Sequence, residues 1–209
     1  KRQTQNTGVT VQLAYNGTLA SNITMNGGVL DADESLTISG AVTQAGNGTI
    51  DVASGKTLTF DNGTISTENY QLTLEGAGTI AFPANASGIV LNHADGLLKL
   101  QGTGTLQAAE VTAASDAGKG LAVNTSSTIS SLKVAANTEL NVVNGETFSG
   151  STQITADKTL KLSGTGTFGS TIDLEGTLEA GANLIVSGLI SVGGNSAAVS
   201  IPTTGTTLT

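Results

Sequence analysis

The sequence predicts an all-β fold: a parallel, right-handed β-helix of about nine coils with three short strands per coil. Three observations predict it. The first is one phrase. Asp157-Lys158-Thr159-Leu160-Lys161-Leu162 alternates polar and apolar residues with period two, as a strand with one buried face must. Gly164-Thr165-Gly166-Thr167-Phe168 then supplies a tight corner before the next inward apolar side chain. The second observation is recurrence. Strand leucines at Leu13, Leu36, Leu58, Leu72, Leu98, Leu121, Leu140, Leu160, Leu184 and Leu208 give a mean period of about 21 residues, in the solenoid range. A second apolar ladder follows six of these leucines, Leu58 to Leu160, by roughly eight residues: Ile65, Ile80, Leu106, Ile129, Phe148 and Phe168. A looser third set, including Ile50, Val52, Ile89, Leu91, Val111, Leu132, Val134, Ile154, Ile172 and Leu174, completes the coils. The third observation is composition. There are 33 threonines, 28 glycines and 2 prolines, and aromatics make up 3 % of the chain. β-branched residues suit short strands, and a thin interior is filled by Leu, Ile, Val and Ala.

Taken in order, the polar stretch 1–8 reads as an arm or cap on the first coil, within a single domain spanning 1–209. Val9, Val11 and Leu13 alternate as a strand, and Asn16-Gly17-Thr18-Leu19 gives the first corner. Ile23 and Met25 form a short strand, and Val29-Leu30 enters an acidic turn, Asp31-Ala32-Asp33-Glu34. Gly46-Asn47-Gly48-Thr49-Ile50 and Ser54-Gly55-Lys56-Thr57-Leu58 repeat the phrase. The leucine spacing falls to 14 before Leu72 and rises to 26 after it, which reads as one side of a coil lent to its neighbour. Phe82 to Gly88 is a corner loop. Gly102-Thr103-Gly104-Thr105-Leu106 restores the pattern, and the alanine-rich stretch from Ala108 to Gly120 reads as a protruding loop rather than a helical turn. From Ser127 to Gly194 the repeats run without interruption. Residues 197–209 read as an incomplete terminal coil, with Thr206-Thr207-Leu208 copying the start of a strand.

Composition also excludes function classes. The net charge is −8 and only 11 % of residues are charged, so the basic face that a nucleic-acid partner requires is missing. Without cysteine there is neither a disulfide framework nor a thiolate site. Apolar runs such as Leu97-Leu98 are far too short for membrane insertion. Enzyme chemistry lacks its residues: the single arginine is Arg2, and the acids Asp51, Asp61, Glu75, Asp157 and Glu175 sit singly in turns instead of converging as glycoside hydrolysis needs. His93, the one histidine, reads as a solvated corner, since a zinc site needs three or four donors. Asp31, Asp33 and Glu34 form a weak calcium candidate, outweighed by a solvated acidic turn. Gly55-Lys56-Thr57 is no phosphate loop, because the earlier glycine that motif requires falls at Ile50. No metal, cofactor or catalytic residue is therefore expected. Sequons begin at Asn16, Asn22, Asn47, Asn62, Asn85 and Asn124, little more than chance provides in so polar a chain. Outward threonines such as Thr57, Thr59 and Thr73 could form the flat ladders of an ice-binding solenoid, but Lys99, Asn141 and Lys161 are expected to interrupt them.

The G-x-G-T-apolar phrase together with Thr-Leu-Thr strands, in motifs such as Ser54-Gly55-Lys56-Thr57-Leu58-Thr59-Phe60, resembles the passenger β-helices of bacterial autotransporters and filamentous-haemagglutinin-like adhesins. The resemblance covers roughly 10–209 and implies a coil rather than an activity. It implies an extracellular or cell-surface location, and adhesion to host or surface glycans or proteins as one alternative. The residues themselves favour a non-enzymatic structural subunit that stacks head to tail on copies of itself into a surface fibre, through Thr10, Val11 and Leu13 at one end and Thr206, Thr207 and Leu208 at the other. Other surface polymers or glycans are further expected partners, and a polysaccharide-active β-helix enzyme is a minor alternative.

Overall fold

The computed structural model describes residues 2–6 as backbone and 8–201 in full. Among the described residues there is no helix; every regular element is a strand, and every ladder between strands is parallel. The chain winds as a β-solenoid of about nine turns, each contributing a strand to three faces.

Ten strands build the first face, from Thr10–Leu13 to Ala198–Ser200. Its core is a set of inward columns in which one coil's side chain sits on the next. Leu72, Leu98, Leu121, Leu140 and Leu162 form one column; Val11, Leu30, Ile50, Leu74, Leu100, Val123 and Val142 form another. The second face runs from Gly17–Leu19 to Ile185–Val186, with Leu36, Leu58, Ile80, Leu106 and Ile129 in register. The third face joins Ile65, Ile89, Ala109, Leu132, Thr152, Ile172 and Ile190. Phenylalanines meet in pairs within the core, Phe60 stacked on Phe82 at 5.7 Å and Phe148 tilted against Phe168 at 5.3 Å between ring centroids.

Register corrects several sequence assignments. Leu36 and Leu58 belong to the second face, whereas Leu13 and Leu72 belong to the first. The short spacing between Leu58 and Leu72 is thus the path from the second face of one coil to the first face of the next, and no side is lent. Ile65 lies on the third face, and Ile50 and Val52 on the first. Leu160 faces Thr138, so Leu162 continues the Leu140 column. Asp31 and Ala32 lie within the strand Val29–Ala32, which shortens the acidic turn to Asp33-Glu34. The strand Thr105–Val111 likewise takes the first part of the alanine-rich stretch, leaving residues 112–119 as the loop. At the other end, Arg2–Asn6 pairs with Asn22–Asn26 as a strand of the third face.

Corners explain the glycines. A Cβ on Gly102 would lie 2.0 Å from the Gly76 carbonyl oxygen one coil away, and one on Gly164 would lie 2.1 Å from that of Val142. Coils approach too closely there for any side chain. In the strand Thr147–Ile154 the register shifts opposite Ile129 and Leu132, and Gly150 at φ 127° takes up the irregularity where the strand passes from the second face to the third.

Candidate functional site

Among the described residues the acidic side chains do not gather into a metal-binding group. Asp31 projects outward in a column with Gln12, Asp51 and Glu75. Partial burial, and after it the like charges of Asp33 and Asp51, holds the Asp31 carboxyl above its ordinary range. The Gln12 side-chain amide donates to Asp33 at 2.5 Å, and Glu34 pairs with the Lys56 ammonium at 2.7 Å. The candidate calcium ligands are thereby spread among three sets of neighbours. Among the described residues no group of three or more acidic or histidine side chains is placed to hold a metal ion. His93 is half-exposed at a corner, 3.8 Å from Asp95.

The expected assembly residues fall at or beyond the two ends of the described stack. Thr10–Leu13 is an edge strand, paired on one side with Val29–Ala32, and within it Leu13 is buried while Thr10 is exposed. Thr206, Thr207 and Leu208 lie outside the described residues. Near that end an apolar patch is exposed: Val192 at 67 %, Val199 at 46 % and Ile201 at 48 %. Val192 and Val199 continue the columns of Leu174 and Leu178, both of which are buried. They are core residues by register and surface residues by position.

The second face presents a hydroxyl array. Thr57, Thr79, Thr105, Thr128 and Ser149 stack in one outward column, and Thr18, Thr37 and Thr59 in the adjacent one. Lys99 and Asn141 share a column with Thr73 on the first face, and Lys161 stands beside Glu139 there. None of the three interrupts the Thr57 or Thr59 columns. No charged residue occurs in the outward positions of the second face from Gly17 to Gly150.

A groove of about 370 Å³ opens on the first face beside loop 112–119. The loop is laid across three coils. Asp116 N–H donates to the Ala94 carbonyl, and Ser115 N–H to the Asn137 carbonyl, each at 3.0 Å. The Ser115 and Thr138 hydroxyls meet at 2.7 Å. This pins Asp116 as a wall above a floor made by the column Glu139, Lys161 and Glu179. Sequence reading missed the groove, since nothing local in 112–119 says that the loop rests on Asn137.

Of the sequon asparagines, Asn22 and Asn47 are already employed: each side-chain oxygen accepts an N–H from the next coil, of Ala41 and Gln71 respectively. No protein-family model, no curated protein and no solved structure matches this chain. No helix among the described residues is long and apolar enough to cross a membrane.

Proposed function

We propose that the protein is a non-enzymatic structural β-solenoid, extracellular or at a cell surface, whose coils stack end to end on further copies to make a fibre. One observation carries this reading: the apolar end formed by Val192, Val199 and Ile201, where two buried columns reach solvent. Exposed core residues beside open parallel edges are the arrangement that adds another strand. A second copy offers the matching surface, because Thr10–Leu13 presents a parallel edge with Val11 and Leu13 in the same alternation. A contact between unlike ends does not close on itself unless the rotation makes a ring, so it propagates. Sedimentation velocity and negative-stain microscopy over rising concentration test it. The expected result is linear filaments that Val192→Lys with Val199→Lys reduces to folded monomers; monomers of the unmodified chain at all concentrations overturn it.

The hydroxyl array favours a second reading, attachment to ice. Coil spacing sets the threonines about 4.8 Å apart along the stack, and adjacent columns lie about 6.6 Å apart along the strand. The two columns share only the coil of Thr57 and Thr59, since Ala81 follows Thr59, so the array is chiefly one row of five hydroxyls, Thr57 to Ser149, repeating at the coil spacing. Thermal hysteresis that disappears on Thr79→Lys, Thr105→Lys substitution is the expected sign; no hysteresis rejects this reading.

A further inference from the structure

We infer that the groove between loop 112–119 and the first face is a binding site for a short segment of neutral or amino sugar. The inference does not rest on end-to-end stacking and goes beyond it. Three features of the groove carry it.

The first is shape. A volume of about 370 Å³ lies within the range of small-ligand sites, and its wall is preformed. Loop 112–119 is tied by hydrogen bonds to Ala94 on one side and to Asn137 and Thr138 on the other, so little ordering remains to be done on binding.

The second is chemistry. The lining offers carboxylates at Asp116, Glu139 and Glu179, an ammonium at Lys161 and a hydroxyl at Thr159, while the Asn137 side-chain oxygen already accepts the Thr159 N–H and one Glu139 oxygen the Ser163 hydroxyl. Among the described residues the side chains of Asp116, Lys161 and Glu179 make no hydrogen bond or ion pair, so their bonding capacity faces the groove unspent. Acceptors and donors alternate in the column Glu139, Lys161, Glu179 at the coil spacing of about 4.8 Å. Neighbouring hydroxyls of a sugar, each both donor and acceptor, meet such a row with every group satisfied. The groove contains no aromatic or large apolar side chain to anchor a peptide.

The third is charge. Three carboxylates against one ammonium leave the groove negative, which opposes sulfated, sialylated or uronate sugars and admits neutral ones and those bearing an amine.

The test titrates the full chain, by calorimetry and saturation-transfer NMR, with chitooligosaccharides, their deacetylated forms, maltooligosaccharides and heparin fragments, and with spermine as an amine that is not a sugar. The expected result is millimolar or tighter binding of at least one neutral or amino-sugar series. That binding should weaken about tenfold in Glu179→Gln and again in Lys161→Gln, the loss expected when a charge-assisted hydrogen bond is removed. Lys99→Gln, elsewhere on the same face, should leave it unchanged. Circular dichroism and melting confirm that each variant folds, and Asp116→Asn replaces any that does not. Binding of no sugar, of heparin alone or of spermine alone overturns the inference, as does sugar binding that the groove variants leave intact.

Discussion

The hydroxyls of Thr152 and Ser170 meet at 2.8 Å inside the core, with neither residue exposed to solvent. Thr152 stands in a column between Leu132 and Ile172, whose other members from Ile65 to Ile190 are all apolar. The Ser170 hydroxyl also has the Thr171 carbonyl within 3.1 Å, whereas Thr152 has Ser170 alone. Ser170→Ala should therefore cost about 1–3 kcal/mol by leaving a buried hydroxyl unpaired. Thr152→Val should cost less, and the double variant less than the sum of the two. Urea titration of the four proteins measures the coupling.

Glycine substitutions should separate two physical causes. Gly102→Ala drives a methyl group onto the Gly76 carbonyl and should destabilise by on the order of 3 kcal/mol. Gly118→Ala meets open space but sits at φ 73°, so only backbone strain of about 1 kcal/mol is expected. Thermal melting compares them.

Acid should act on two carboxylates with opposite sign. The folded state holds the Asp31 carboxyl above its ordinary range, so as pH falls the fold takes up this proton before the unfolded chain does, and stability at this site rises. Asp31→Asn should stabilise by about 0.5 kcal/mol at neutral pH and by nothing at about pH 3. Glu110 is the reverse. Hydrogen bonds from Lys133 and then from Ser87 hold its carboxyl below the ordinary range against the opposing effect of burial. Its contribution is complete above the unfolded carboxylate value and disappears as pH falls through the folded one. Glu110→Gln should cost about 1 kcal/mol at neutral pH, and the difference should close in acid. Denaturation at a series of pH values reads both.

Leu160→Asp places a charge with no partner where Leu160 is wholly buried between Thr138 and Leu178. Loss of the β signal over several coils is expected, and proteolysis should cut first between the strands Thr138–Val142 and Thr177–Ala180.

The coil was legible because period-two alternation and corner glycines are local properties. The column Leu72, Leu98, Leu121, Leu140 could be read directly, since those residues occupy one face in consecutive coils. Leu36 and Leu58 were misplaced because the first and second faces use the same Thr-Leu-Thr alternation, and only corner lengths tell them apart. Leu160 was misaligned by two residues for a related reason: Leu160 and Leu162 both point inward, and pairing alone decides which of them continues the Leu140 column. The threonine columns were discounted through the same confusion of faces, which set Lys99 beside Thr59 when it lies beside Thr73. The groove stayed hidden because it depends on contacts among residues in different coils, Ala94, Ser115 and Asn137.

Each column is renewed one coil at a time, as when Leu98, lying between Leu72 and Leu121, hands over to Leu121, lying between Leu98 and Leu140. A segment cut out between two such equivalent positions removes one complete lap of the chain and brings matching surfaces together again, and a duplicated segment inserts one. Length in this protein is therefore heritable in whole laps, so that recombination between sister repeats can lengthen or shorten the rod without redesigning its interior.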